Sequence, residues 1–160
     1  MAEQKTNVMR VLEQKKIPYK AHSYPHGDEA VDGVTVAAMT GMDPAGVFKT
    51  LVAQGASKKI YVFVIPVAME LDLKKAAKAA GEKSVLMVHV KEITALTGYV
   101  RGDCSPIGMK KQYTTFYHST ADGRETITVS AGKIGYQVEL SPEALIKLTN
   151  GRLADIATEE

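Results

Sequence analysis

The chain has 160 residues, of which 45% are hydrophobic and 24% charged, with a formal net charge of +2. These values predict one globular domain, residues 1–160, whose core is large enough to fold without disulfides. The single cysteine excludes an internal disulfide, and the nearly balanced charge argues against a strong, sequence-indifferent nucleic-acid binder.

The sequence gives no sign of a membrane segment or a secretion signal. The N-terminal stretch "MAEQKTNVMRVLEQKK" is polar and lacks the apolar centre of a signal peptide. The longest apolar stretch, residues 60–69, is too short to span a bilayer and contains Pro66. We therefore expect a cytoplasmic protein that has neither a membrane nor DNA as a partner.

The first half of the chain predicts helices followed by a pair of strands. Val8, Val11 and Leu12 recur at helical spacing. In chain order, the predicted elements are a helix over 6–16, a strand over 19–24, a helix over 34–40, a helical turn over 43–46 and strands over 47–54 and 59–66. The last two are joined by "GASK", a plausible hairpin turn, and both are apolar on both faces, as central strands are.

The second half alternates helices and strands. The predicted elements are a helix over 69–80, a buried strand over 84–90, a helix over 91–98, strands over 113–119, 125–131 and 135–140, and a helix from Pro142 to Asn150. An Asp-Gly signal predicts that the strands over 113–119 and 125–131 pair as a hairpin. The sequence thus predicts an α+β fold: a mixed sheet, curved or closed into a β-barrel, surrounded by helices.

The segment "YVRGDCSPIGMKKQY", residues 99–113, is the first candidate functional loop. It combines glycines, a proline and the only cysteine, Cys104. A serine-hydrolase elbow is disfavoured because the residue after Ser105 is a proline, which has no N–H to serve as an oxyanion donor. A metal site is disfavoured because Cys104 has no CxxC partner and the histidines are scattered. The loop is therefore either a close-approach ligand wall or a tight structural corner, and Cys104 is either a nucleophile or a small buried side chain.

Lys49 is the most informative single residue. It lies in the apolar strand over 47–54, where strict alternation gives it the same face as Val47 and Leu51. An unpaired buried ammonium is costly, so Lys49 should lie at the mouth of a cleft or opposite an anion. The alternative is a lysine that extends its charged end to solvent. Ser130, at the entrance to the glycine-bearing turn "SAGKIG", is either a site hydroxyl or an ordinary turn serine.

Four stretches, "VFKTLV", "FVIPVAMELDLKKAAKA", "LTGYVRGDCSPIGMKK" and "VSAGKIGYQVELSPEALIKLTNG", together resemble the YbaK-type family of aminoacyl-tRNA deacylases, in particular its Cys-tRNA(Pro) branch. The resemblance covers residues 5–156. It implies a compact mixed β-barrel ringed by helices, like the editing domain of prolyl-tRNA synthetase. It also implies an enzyme that needs no cofactor or metal and that acts in company with prolyl-tRNA synthetase. Its implied substrate is cysteine mischarged onto tRNA(Pro), with Cys-tRNA(Cys) as a second candidate.

The resemblance also implies roles for particular residues. Lys49 would meet the 3′-terminal phosphate or orient the ester, and Tyr19 would border the pocket. The pocket would further be lined by Thr50, Gly102, Ser105, Pro106, Ile107, Gly108 and Ser130. Family members often carry an aspartate where this chain has Gln137 and K-R-G where it has Lys133-Ile134-Gly135; Gln137 would bind the substrate amino group through a neutral hydrogen bond.

The mechanism implied for this branch uses the substrate's own thiol as the nucleophile. This agrees with a sequence in which no catalytic triad can be assembled. Three alternatives remain open from the sequence: an Ala-tRNA(Pro) deacylase, which would need an activated water; a non-catalytic module that binds tRNA or the synthetase; and a thiol-dependent redox protein that uses Cys104.

Overall fold

The structure, a computed structural model, describes residues 5–24, 33–99 and 104–159. The helices are α1 (Asn7–Gln14), α2 (Gly33–Thr40), α3 (Leu73–Ala80), α4 (Val90–Thr97) and α5 (Pro142–Thr149), with short 3-10 turns at Pro44–Gly46 and Ser119–Ala121. The strands are β1 (Lys20–Ser23), β2 (Phe48–Gly55), β3 (Ile60–Pro66), β4 (Met69–Leu71), β5 (Val85–Met87), β6 (Thr114–His118), β7 (Ile127–Ser130), β8 (Tyr136–Leu140), β9 (Arg152–Ala154) and β10 (Ala157–Glu159). None of the described helices is long and apolar enough to cross a lipid bilayer.

Strand β2 lies inside a mixed five-stranded sheet of order β5-β2-β3-β6-β9. It pairs antiparallel with β3, as the predicted hairpin requires, and β3 pairs parallel with β6. A parallel pair needs a long crossover connection, and α3, β5 and α4 lie in the chain between β3 and β6. A second sheet, of order β1-β8-β7, is antiparallel throughout.

The two sheets meet at one parallel bridge between Val47 and Thr128. The main core lies between the sheets, because Phe48 and Val64 of the larger sheet and Val129 and Val138 of the smaller one belong to a single buried cluster. Helices α1 and α5 contribute further members of this cluster. A second cluster, built around Phe63 and Phe116, packs on the opposite face of the larger sheet.

The predicted fold class, α+β with a curved mixed sheet surrounded by helices, is confirmed. Backbone pairing among the described strands does not close the two sheets into a continuous barrel. Side-chain caps mark the starts of three of these elements. Thr6 caps α1 by accepting from the Met9 N–H, Asp43 caps the turn at Pro44–Gly46, and Ser141 caps α5. Such caps contribute about 1 kcal/mol each.

Two predicted elements were wrong in extent. The helix predicted over 69–80 begins only at Leu73, because Asp72 caps it by accepting from the Lys74 and Lys75 N–H groups. The buried strand predicted over 84–90 is reduced to β5, an edge strand of three residues. Leu86 is 67% exposed and Met87 is 44% exposed there, so apolar character did not mean burial.

The predicted hairpin between the strands over 113–119 and 125–131 is not formed. Strand β6 instead lies between β3 and β9, parallel to both, while β7 pairs with β8. Packing explains the difference. Phe116 stacks on Phe63 on one face of β6, and Tyr117 is fully buried in the main core on the other. A strand buried on both faces is central, and the 3-10 turn at Ser119–Ala121 then carries the chain to the other sheet.

The C-terminal segment, for which no strand was predicted, is held through a buried histidine. Strands β9 and β10 pair with β6 and β4. Between them, the Ile156 N–H donates to Nδ1 of the buried His118 at 3.2 Å, and the Ile156 carbonyl accepts from the Asp72 N–H at 2.8 Å. Because Nδ1 is the acceptor, the imidazole must be neutral for this contact.

We predict that this contact makes stability depend on pH. Burial of the ring lowers the pKa of His118 below its ordinary value of 6.5, with Asp155 opposing the shift and Lys75 adding to it. A lowered histidine pKa means that the unfolded state takes up the proton first. The contribution of neutral His118 to the free energy of unfolding is therefore complete above about pH 6.5 and is lost as the pH falls below it. The free energy of unfolding should fall by no more than about 1.4 kcal/mol per pH unit for this one proton.

Urea unfolding of wild type and His118→Asn between pH 7.5 and pH 5 measures this effect. Asparagine does not titrate in that range, so the difference in unfolding free energy between the two proteins should shrink as the pH falls. A difference that stays constant would show that His118 does not couple protonation to folding.

Candidate functional site

A row of polar side chains crosses the smaller sheet on the face turned away from the main core. His22 of β1 is opposite Gln137 of β8, and Gln137 is opposite Ser130 of β7. Residues directly opposite each other point to the same face. Their neighbours Val129 and Val138 point the other way, into the main core.

The bridge between the sheets extends this row to Lys49. Lys49 of β2 and Ser130 of β7 each lie two residues beyond the bridged pair Val47 and Thr128, and so on the same face as that pair. Lys49 is half-buried, between Val47, which packs in a small third cluster, and Leu51, which packs against the second. We call Lys49, Ser130, Gln137 and His22 the polar row.

Two buried oxygen atoms at this place have no hydrogen-bond partner among the described residues. One is Oε1 of Gln137, a residue that is only 7% exposed. The other is Oγ1 of Thr50, on the opposite face of β2 from Lys49. Leaving such a group unpaired costs about 1–3 kcal/mol. Gln137 Oε1, on the face of the polar row, is therefore a candidate to accept a hydrogen bond from a bound molecule, whereas Thr50 Oγ1 points away from that row.

The backbone of Thr50 also faces an edge of β2. The Val47 carbonyl accepts from Val67 on the β3 side, and the Val52 carbonyl accepts from Val88 on the β5 side. Backbone groups of successive strand residues alternate between edges. The N–H and C=O of Thr50 therefore point to the edge where β2 passes from its bridge with β7 to its pairing with β5.

The glycine loop is largely part of the protein's own core. Ser105 is fully buried and its Oγ accepts from the Ile107 N–H at 3.3 Å, Pro106 is buried, and Ile107 belongs to the main cluster. Gly108 is exposed and has a φ of +76°, a conformation that side chains disfavour. This half of the loop is therefore a tight corner that fixes the chain beside the site. Gly102 lies outside the described residues.

Tyr99, which sequence reasoning missed, joins the two glycine-bearing turns. Its hydroxyl donates to the Ile107 carbonyl, and burial, reinforced by nearby Cys104, raises its pKa to about 12. A Cβ added at Gly132 would lie 2.8 Å from the Tyr99 ring, and one added at Gly108 would lie 2.9 Å from its hydroxyl. The available signal was a tyrosine at the first position of the loop, but sequence alone did not show that both turns close on it.

The remaining predicted site residues have internal contacts. The Tyr19 hydroxyl donates to Glu13 Oε2 of α1 at 2.6 Å, which directs this end of the ring towards the helix. Ser130 Oγ accepts from the Gly132 N–H at 3.0 Å, which fixes its turn. Cys104 is not part of a disulfide and is only 9% exposed. The structure thus groups Lys49 with Ser130 and Gln137, and sets the rest around them as supporting elements.

We predict that Gly132→Ala lowers stability beyond the cost of its backbone conformation. Gly132 has φ +87°, and an added methyl group would collide with the Tyr99 ring and with Val8. Gly123→Ala is the matched control, because Gly123 has φ +83° and nothing within 4 Å of the added Cβ. Both variants should lose roughly 1–2 kcal/mol of unfolding free energy, because alanine is strained in the left-handed conformation. Gly132→Ala should lose about 1–3 kcal/mol more, because the added methyl group overpacks the site. Equal losses in chemical unfolding would contradict the closure of this turn on Tyr99.

Solved structures share this fold over nearly the whole chain. One, described as "Crystal structure of a putative trans-editing enzyme for prolyl tRNA synthetase", aligns over 99% of both chains with a TM-score of 0.82 and 22% identity. Another, described as "Crystal structure of hypothetical protein APE2540", covers 94% of this chain and 99% of its own, with a TM-score of 0.84 and 21% identity. At these identities the likeness establishes the fold.

The sequence comparisons establish the family. The model of the aminoacyl-tRNA editing domain matches residues 28–148. A protein of Enterococcus faecalis (strain ATCC 700802 / V583), named "Putative Cys-tRNA(Pro)/Cys-tRNA(Cys) deacylase EbsC", is 49% identical over 158 residues, which is 99% of this chain and 96% of that protein. The chain therefore belongs to the aminoacyl-tRNA editing domain family, and the resemblance drawn from its motifs is confirmed.

Proposed function

We propose that this protein is a deacylase that hydrolyses cysteine from mischarged tRNA(Pro), with residues 1–160 acting as one editing domain. The observation that carries the proposal is the 49% identity, over almost the full length of both chains, to a protein named for Cys-tRNA(Pro) and Cys-tRNA(Cys) deacylation. The reaction takes place in the cytoplasm beside prolyl-tRNA synthetase. That synthetase cannot strongly reject cysteine, because small differences in an apolar pocket supply only about 1–3 kcal/mol of discrimination.

The polar row offers a chemically suitable place for the aminoacyl ester. Lys49 supplies the positive charge for the terminal phosphate or the ester. The Gln137 Oε1, which needs a donor, suits the protonated α-amino group of an aminoacyl ester. The backbone N–H of Thr50, at the edge of β2, is oriented to stabilise negative charge on the ester oxygen. Ser130 completes the wall beside Lys49.

The nucleophile in this proposal is the thiol of the substrate. Its sulfur attacks the ester carbonyl, the new S–C bond replaces the C–O bond to the ribose, and the thiol proton ends on the released 3′ hydroxyl. Water then opens the cyclic thioester to free cysteine. The enzyme holds the ester in a reactive geometry and stabilises charge, which can account for several kcal/mol of the barrier without a protein nucleophile.

We expect Lys49→Ala to lower deacylation about ten- to a hundredfold while the protein stays folded. This is the effect of losing one charge-assisted contact worth roughly 1.5–3 kcal/mol. Single-turnover hydrolysis of Cys-tRNA(Pro) measures it, with thermal melting as the test of folding. The control is Lys74→Ala, at an exposed position of α3. Near-normal turnover in folded Lys49→Ala would remove this lysine from the site.

Cys104→Ala should retain most of the deacylation rate, because the reacting sulfur belongs to the substrate. The same experiment compares Cys-tRNA with Ser-tRNA and Ala-tRNA, which lack a thiol and should react slowly even when bound. A covalent acyl-enzyme on Cys104, seen by rapid quench and intact mass, would instead identify a protein nucleophile. Fast hydrolysis of Ala-tRNA would identify an activated-water mechanism and an alanine deacylase.

A further inference from the structure

A cleft of about 200 Å³ opens next to the polar row, one step further along the same face. Thr128 and Glu139 lie in its wall and are register partners of each other, two residues before Ser130 and two after Gln137 respectively. Two residues along a strand span about 6.6 Å. The complete lining is Met42, Asp43, Gly46, Val47, Arg124, Thr126, Thr128 and Glu139.

Arg124 is the cationic side chain in the lining of this cleft, and it lies against the backbone at Gly46. A Cβ added at Gly46 would lie 2.7 Å from Nη2 and 3.3 Å from Cζ of Arg124, so the absence of a side chain there makes room for the guanidinium. The Arg124 side chain is 33% exposed. Its buried Nε has no hydrogen-bond partner among the described residues.

The carboxylates of the cleft do not satisfy this arginine. Asp43 Oδ2 is 3.8 Å from Nη2, too long for a hydrogen bond, and Asp43 Oδ1 accepts from the Ala45 N–H at 3.0 Å. Glu139 accepts from Thr126 through one oxygen and contacts His22 Nε2 at 2.8 Å through the other. Both acidic groups therefore have hydrogen-bond partners within the protein. The unpartnered Nε of Arg124 is buried, so a ligand would meet the exposed third of the side chain, which now forms only a long ion pair with Asp43.

We propose that this cleft is a phosphate subsite, in which Arg124 binds a phosphodiester of the single-stranded 3′ end of the tRNA. The inference rests on the proposed function, which puts the aminoacyl ester at the polar row. The ester sits on the ribose of the terminal nucleotide, and the nearest phosphodiester lies on the other side of that ribose. The cleft adjoins the polar row on the same face of the smaller sheet, which puts it next to the terminal ribose. Arginine binds phosphate oxygens through paired N–H groups.

The test is steady-state deacylation of Cys-tRNA(Pro) by Arg124→Gln at several salt concentrations. Losing one phosphate contact should raise KM about tenfold, leave kcat within about twofold and reduce the slope of log affinity against log salt by about 1. Arg152→Gln, at an exposed arginine of β9, is the matched control and should behave as wild type. Asp43→Asn should lower KM, because asparagine still caps the turn but no longer competes for the guanidinium.

Binding of an uncharged single-stranded RNA ending in CCA, followed by fluorescence anisotropy, separates this inference from the proposed function. If wild type does not hydrolyse Cys-tRNA but binds this RNA with an affinity that Arg124→Gln lowers, the proposed function fails and the subsite stands. If Arg124→Gln, shown to be folded by circular dichroism, matches wild type in affinity and salt slope, the phosphate subsite is overturned whatever the activity.

Discussion

The parallel bridge between Val47 and Thr128 is the contact on which the rest of the site depends. Among the residues that the structure describes, this backbone pairing joins the two sheets. It fixes which residue of β2 lies beside which residue of β7. A slip of one residue would turn Lys49 away from Ser130 and put Phe48 on the polar face, because strand side chains alternate. The burial of Phe48 and Val129 in one core cluster opposes that slip. Core packing therefore sets the register of the polar row.

The glycine loop is held by packing and by Tyr99 next to the turn that follows Ser130. Ser105, Pro106 and Ile107 are packed inside the protein, and Tyr99 ties their backbone to the turn after Ser130. A loop held so closely cannot rearrange cheaply when a substrate arrives. This suits a reaction in which the substrate carries its own nucleophile, since the protein's contribution is then to hold the ester still and to present fixed dipoles to the developing charge.

The sequence predicted those parts of the fold that local chemistry decides. The turn at Pro44–Gly46 and the start of α5 lie where they were predicted, with Asp43 and Ser141 as their caps, and the β2–β3 hairpin followed from two apolar runs around a short turn. It failed where partners are chosen across the chain. An Asp-Gly turn signal favoured a hairpin, but the stacking of Phe116 on Phe63 outweighed it. Strands β4, β9 and β10 are three residues each, too short to show a period.

The candidate site shows the same division between local and long-range information. Lys49 stood out because a charge in an apolar strand is unusual, and Gln137 because it departs from the family's aspartate. Tyr99 and Arg124 did not stand out, since their importance comes from contacts with Gly132 and Gly46, which are 33 and 78 positions away in the printed sequence. A glycine that makes room for a distant side chain is indistinguishable, in one sequence, from a glycine that makes a turn.

The small net charge of +2 is consistent with how such a protein would engage RNA. A protein that neutralises many phosphates has no preference for the 3′ end, because the duplex stems of a tRNA carry far more charge than its terminus. An editing enzyme must find the one end that carries an amino acid. With the phosphate subsite proposed above, two cations, Lys49 at the polar row and Arg124 in the adjoining cleft, would give little attraction to a stem and would engage only the last nucleotide. Selectivity for the end of the tRNA would then follow from how these few charges are spaced. The bridge between the sheets determines that spacing.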